Sequence, residues 1–170
     1  MSEFCLYLRL PRYVGQWCRR HFGDPVRFPA RSYPNLVILQ NVRPLPRLAR
    51  PQLPADGLTA VCIPDSRQKP ARANNYLTRA AMQEVVSSID DYFATVMYRE
   101  LLPMVSSPKL NAGIEHWCHA NGITEDSWEA VRQRFYRMRR SLNDPVKTPR
   151  GRYLVKKTKK RSQKRGKVFD

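Results

Sequence analysis

Five arginines fall within nine residues, Arg132, Arg134, Arg137, Arg139 and Arg140, and from Lys147 to Lys167 there follow eleven Lys or Arg with no acid among them. A guanidinium group presents a planar fork that matches phosphate oxygens and guanine edges, and an ammonium group meets phosphate as a point charge. Dense cationic stretches of this kind are chemistry for a polyanion, and nucleic acid is the commonest one.

The charge is also unevenly placed. Of the formal net charge of +17, residues 147–170 carry +10, residues 1–102 carry +6 and residues 103–146 carry +1. Such asymmetry favours a nucleic-acid or anionic-surface arm over a uniformly basic enzyme. In the run KKTKKRSQKRGK, residues 156–167, the candidate contacts are Lys156, Lys157, Lys159, Lys160, Arg161, Lys164 and Arg165. Three uses fit the run: an arm that tracks phosphates and adds sequence-independent affinity, a segment that orders on RNA, or a solubilising or targeting extension. Residues 147–170 lack the apolar content to offset the cost of ordering, so they are expected to be irregular in the free protein.

Other chemistry is thin. Asp90-Asp91 lies within a helical pattern and Glu125-Asp126 suits a helix start, so neither pair needs an acid–base role. His116 and His119 flank Cys118, and Cys18 and His21 repeat the i, i+3 spacing, but Cys118 belongs to an apolar stripe and no CxxC pair exists. There is no Gly-rich phosphate loop and no GxSxG. No catalytic residue, cofactor or metal ligand is therefore assigned, and a non-enzymatic protein is expected; a nuclease built from scattered carboxylates is the enzyme class that spacing would not reveal. Cys5, Cys18, Cys62 and Cys118 are widely spaced, which reads as reduced, mostly buried thiols in a cytoplasmic protein. No apolar run reaches about 18 residues, so no membrane span is expected. The N-terminal residues lack a basic segment followed by a long apolar one, so secretion is not expected.

The arginines need an element to position them. Trp128, Val131, Phe135, Met138 and Leu142 recur at steps of three and four. At ~100° per residue they stay within about an 80° sector, the apolar face of a helix over 125–142. The opposite face holds Glu129, Gln133, Tyr136, Arg137 and Arg140. Thr124 is placed as the N-cap, and Asn143-Asp144-Pro145 ends the helix. A preceding helix over 110–121 presents Leu110, Ile114, Trp117 and Cys118, and Gly122 closes it in the left-handed conformation common at that position. A longer helix runs from about residue 73 or 78 to 102 on Leu77, Ala81, Val85, Ile89, Tyr92, Phe93, Val96 and Leu101, and Pro103 ends it. The plain alternative for 125–142 is a bundle helix with a solvated basic face, since cations favour a helix C-terminus.

Cys118 stands four residues before Gly122, and Ile123, Trp128 and Val131 stand one, six and nine after it. With this pattern, residues 109–141 resemble the helix-turn-helix of homeodomain-like and phage-regulator proteins; Asn121 stands where that pattern has an apolar residue. The resemblance implies that Gln133, Tyr136, Arg137 and Arg140 face the major groove, Arg toward guanine and Gln toward adenine. It implies that Arg132 and Arg139 flank that face and contact phosphates, and that the 78–102 helix completes a three-helix unit.

Upstream, FCLYLRL alternates as a strand over 4–10, and Pro11 opens a helix over 11–22 on Tyr13, Val14, Trp17, Cys18 and Phe22, with Arg12, Arg19 and Arg20 on its wet side. Residues 24–70 hold nine prolines and leave strand candidates at 36–42 and 58–63, joined by the surface crossing RPLPRLARPQLP over 43–54. The expected class is α+β, with a small Pro-rich α+β region over 1–72, a helical region over 73–146 and a basic tail over 147–170. The N-terminal region is the expected partner or self-association surface. The functional expectation is a bacterial or phage DNA-binding protein of regulation, replication or mobile-element upkeep. The runner-up is an RNA-binding or ribonucleoprotein component, and the third is a protein-interaction module with an incidental tail.

Overall fold

The alternation at the N-terminus becomes strand β1 (Cys5–Leu8), which buries Leu6 and Leu8 and turns Cys5 and Tyr7 to its half-exposed face. It pairs antiparallel with β2 (Thr59–Cys62), with Leu6 opposite Val61 and Leu8 opposite Thr59. On the far side of β2 a single residue, Val26, adds a parallel bridge: its N–H donates to Ala60 O at 2.8 Å, and Cys62 N–H donates to Val26 O at 2.8 Å. This computed structural model describes residues 4–49 and 52–143. The expectations for residues 147–170 lie outside them.

Pro11 precedes α1 (Arg12–Phe22), which buries Val14, Gly15, Trp17 and Cys18. Gly23 ends it at φ 83°, its N–H donating to Arg19 O at 3.1 Å. The expected strand over 36–42 is instead a helix, α2 (Tyr33–Asn41). A short apolar run such as LVIL fits a strand or a buried helix equally well, and two features choose the helix. Pro34 sits in its first turn, where proline costs nothing. At its other end Lys69 Nζ donates to Leu39 O at 2.8 Å, to Gln40 O at 2.9 Å and to Val42 O at 3.4 Å, a cation on the carbonyls that the helix itself leaves open. With α2 helical, the expected three-stranded sheet reduces to β1, β2 and the Val26 bridge.

The described part of the 43–54 crossing contains neither helix nor strand. It is tied at both ends. Arg43 and Tyr76 exchange backbone hydrogen bonds at 3.0 Å, and the Gln52 amide pairs with β1, accepting from Tyr7 N–H at 3.1 Å and donating to Tyr7 O at 2.6 Å. Between these ties Leu48 is fully exposed.

The long helix α3 (Arg79–Leu101) starts where Thr78 accepts a hydrogen bond from Ala81 N–H at 3.2 Å. It buries Ala81, Val85, Ser88, Ile89, Phe93, Ala94, Met97 and Leu101, and α1 and α2 both pack on it. Residues on both sides of position 72 thus share one core. A 3-10 turn over Leu102–Met104 follows, as Pro103 requires. The remaining helices are α4 (Leu110–Ala120) and α5 (Trp128–Asn143), the latter entered through a 3-10 turn over Glu125–Ser127. Among the described residues there are thus five α-helices and one two-stranded sheet, an α+β fold. The described residues divide into two compact units, one ending at Arg132 and the other beginning at Gln133.

The Lys69 cap carries a test. Lys69→Met keeps the aliphatic stem and removes three charge-assisted donations, so it should destabilise the protein by about 1–3 kcal/mol in urea unfolding. Arg67→Met, at a neighbouring exposed position, should stay within about 0.5 kcal/mol. Equal small effects would mean that α2 needs no cap.

Candidate nucleic-acid interface

The 110–143 segment is built from its turn outward. Helix α4 buries Leu110, Ile114, Trp117 and Cys118, the stripe its spacing predicts. Trp117 Nε1 donates to Glu100 Oε2 at 2.7 Å, which fixes α4 to the end of α3. Gly122 adopts φ 71°. Its N–H donates to His119 O at 3.1 Å, and Ile123 N–H donates to Cys118 O at 2.9 Å. This is the paired closure that satisfies a helix's last carbonyls when a left-handed residue follows it.

Asn121 is buried in the same turn, and its polar atoms are matched. Nδ2 donates to Trp117 O at 2.8 Å, which orients the amide, so Oδ1 accepts from His21 Nε2 at 2.7 Å. The apolar residue of the helix-turn-helix pattern is thus replaced by a link to α1. Three more links follow along α1. Gln16 Nε2 donates to Thr124 Oγ1 at 2.8 Å while Thr124 N–H donates to Gln16 Oε1 at 3.3 Å. Arg12 Nη1 pairs with Asp126 Oδ2 at 2.6 Å. The Arg20 stem lies over Gly122, 3.2 Å from where a Cβ would stand. Arg12, Gln16 and Arg20 are spaced by four, one row on a helix. Two of the arginines expected on the open side of α1 therefore line the turn while keeping solvent contact. Thr124 occupies the N-cap position with extended backbone, but its hydroxyl serves Gln16 and not the helix amides.

Helix α5 begins with Trp128 half-buried, its Nε1 donating to Ile123 O at 2.8 Å. Val131 and Phe135 are fully buried, Met138 is half-buried, and Leu142 is 56% exposed. The predicted apolar face is correct over its first half, and Leu142 departs from it.

Six candidate contacts stand on this helix. Arg132 closes the first unit, half-buried and paired with Glu129 one turn back. In the second unit Gln133, Arg137 and Arg140 are exposed, and Tyr136 and Arg139 are half-buried. Steps of three and four place Gln133, Tyr136, Arg137 and Arg140 on one face. The ring of Tyr136 meets that of Phe135 edge-on at 5.9 Å. Lys156, Lys157, Lys159, Lys160, Arg161, Lys164 and Arg165 lie outside the described residues.

Charge along the helix is ordered. Glu125, Asp126 and Glu129 are exposed at its start, and the arginines occupy its later turns. This order suits the helix dipole. It also places acids where groove-reading helices offer bases their contacts, since such helices lead with their N-terminal residues. The residues that sequence reasoning missed are Arg12, Gln16, His21 and Asn121, which hold the turn. The sequence signals were the polar i, i+4, i+8 row of Arg12, Gln16 and Arg20 on α1 and the polar Asn121 at an apolar place of the pattern; His21 had none.

Among the described residues no three His, Cys, Asp or Glu side chains come together as a metal site. Burial pushes the Cys18 thiol up to about 12, against a partial opposing effect of Arg19, and pushes the Cys118 thiol up to about 12 with Glu115 adding to the rise. No described helix is long and apolar enough to cross a membrane. The chain matches no known protein family, curated protein or solved structure.

The turn makes a sharp prediction. Gly57 and Gly122 both have positive φ, 77° and 71°, but a Cβ at Gly57 meets open space and one at Gly122 meets the Arg20 stem. Gly57→Ala should cost about 1 kcal/mol, the left-handed penalty alone. Gly122→Ala should cost more in urea unfolding, and Arg20→Ala, which deletes Cγ and Cδ but keeps Cβ, should remove part of the excess. Identical losses in both variants would mean that α1 does not press on the turn.

Proposed function

We propose that this chain is a non-enzymatic nucleic-acid-binding protein that holds DNA through the later turns of α5 and the basic residues that follow it. The carrying observation is the exposure of Arg137 and Arg140 on a helix whose sequence continues into eleven Lys or Arg over 147–167. Counterion release from that many cations gives affinity without sequence preference. Gln133, Tyr136, Arg137 and Arg140 then offer base contacts, with Arg139 and Arg132 on phosphates. Arg132 must leave Glu129 to do so, an exchange of one solvent-screened pair for another that costs little. The helix-turn-helix likeness of 109–141 supports the duplex reading. The setting that fits is cytoplasmic, in regulation, replication or mobile-element upkeep.

RNA is the second reading, and the acids at the start of α5 favour it. Glu125, Asp126 and Glu129 oppose entry of that end into a phosphate-walled groove, and a tail that orders on structured RNA needs no groove.

Retardation of the purified chain on duplex DNA, single-stranded DNA and structured RNA, at low and moderate salt, separates these readings. Arg137→Ala or Arg140→Ala should cost about 1–3 kcal/mol on a preferred duplex site and relax preference there. Equal losses on preferred and random duplex would assign both side chains to phosphates, and absence of binding to all three nucleic acids would end the proposal.

Truncation after Pro149 is the companion test. If Z cations engage duplex phosphates, log K falls with log salt at a slope of about −0.9Z. The truncated chain should keep its melting temperature, bind all nucleic acids more weakly and show a slope flatter by several units. An unchanged slope would make the tail a bystander.

A further inference from the structure

Two of the four cysteines face each other across the sheet. Cys5 and Cys62 are direct partners in the β1–β2 register, and their Sγ atoms are 3.9 Å apart. Both are reduced and half-buried. The backbone bonds around them define the kind of pair they form. Ile63 N–H donates to Phe4 O at 2.9 Å, while Cys62 N–H points away from β1 and donates to Val26 O at 2.8 Å. Cys5 and Cys62 are thus a non-hydrogen-bonded pair, the type in which Cα atoms approach to about 4.5 Å. That spacing lies inside the ~4.4–6.8 Å window of disulfides. Rotation about χ1 is the movement needed to bring the sulfurs together.

The other two cysteines provide an internal contrast. Cys18 and Cys118 are fully buried in the first unit's core, and burial raises both thiols to about 12. Such thiols carry almost no thiolate and are inert.

We propose that Cys5 and Cys62 form an oxidative-modification site that closes to an intrachain disulfide by exchange with a low-molecular-weight disulfide of the glutathione class. In the first step the thiolate of one cysteine attacks a sulfur of the small disulfide. The small S–S bond breaks, one small thiolate leaves, and a mixed disulfide remains on the protein. In the second step the other cysteine, as thiolate, attacks the protein sulfur of that mixed disulfide and expels the second small thiolate. Two protein thiols are oxidised, one small disulfide is reduced to two thiols, and the two protons lost by the protein pass through solvent to the leaving thiolates. The product staples the first strand to a residue 57 positions away.

The test uses the full chain with oxidised glutathione, followed by denaturation, alkylation and peptide mass mapping. Two alkylatable thiols should remain, Cys18 and Cys118, and the peptides holding Cys5 and Cys62 should appear linked until dithiothreitol is added. Closure should be at least about tenfold faster than any loss of the two buried thiols. The oxidised chain should melt on the order of 10 °C above the reduced one. Cys5→Ser and Cys62→Ser should each hold one stable glutathione adduct in place of the link. Persistent adducts on both cysteines of the unmodified sequence, linkage between two chains, earlier loss of Cys18 or Cys118, or no loss of thiol would each overturn the proposal. Peptide mapping of the unmodified sequence decides the matter even if a serine variant fails to fold.

Discussion

Phe93 lies in the middle of α3 with no exposed surface, and rings from two other helices close on it. Trp17 and Tyr13 of α1 stand 5.4 Å from it between centroids, and Trp117 of α4 stands at 6.0 Å. Trp17 extends the cluster edge-on to Phe22 and Tyr92, and Phe22 meets Phe28 tilted at 52°. Tilted and edge-on rings at these spacings hold orientation as well as bury area. The consequence reaches the turn. With α1 and α4 both set against one ring, the polar row Arg12, Gln16 and Arg20 is brought over residues 121–126. The hydrogen bonds from Gln16 and His21 and the Arg12 pair are individually modest, because most are partly exposed. They select one position of a turn that the aromatic contacts have already placed nearby.

Electrostatics sets the second level of organisation. A chain of net charge +17 repels itself in its compact form. The described part of this one keeps its cations on the outside, and Lys69, the half-buried exception among its lysines, is satisfied by three carbonyls. Along α5 the acids lead and the arginines trail, so the helix dipole and the side chains reinforce each other. That arrangement is enough to explain why arginines tolerate close spacing there. It does not require them to face solvent on one side together with Gln133. Exposure of Gln133, Arg137 and Arg140 is the feature that a binding role uses and that helix stability alone leaves unconstrained.

Much of this was legible in the sequence wherever one element's own period decided the outcome. The alternation of residues 4–10 and the stripes of α1, α3 and α4 are local patterns, and each element forms where its pattern lies. The strand predicted at 36–42 fails because its apolar run is too short to carry a period; Pro34 suits a helical first turn, and the cap at the other end comes from Lys69, 27 to 30 residues away. The α1 seam escaped for the same reason at longer range: Gln16 meets Thr124 across 108 residues and His21 meets Asn121 across 100. Leu142 has the right period but sits past the last fully buried position of its helix, Phe135, and period alone does not say how far along a helix a covering surface extends. The candidate arginines were found by composition. The acids that qualify them were visible as helix caps but not as obstacles, since that meaning depends on which end of α5 the turn and α1 enclose.

The sheet shows how little regular structure the fold needs to keep these helices in place. Two four-residue strands are marginal by themselves, and each has an outer edge with unpaired backbone groups. On β2 that edge is met by Val26, which arrives from the turn after α1 and takes two backbone hydrogen bonds. On β1 it is met by the Gln52 amide, which pairs with Tyr7 as a neighbouring strand would, one donor and one acceptor at adjacent sites. A side-chain amide completes the pairing of one residue without offering a further edge of its own. The Pro-rich crossing is therefore more than a spacer: proline denies it the amides to become a third strand, while Gln52 lets it close the strand it passes. This keeps Leu6 and Leu8 pressed into the core.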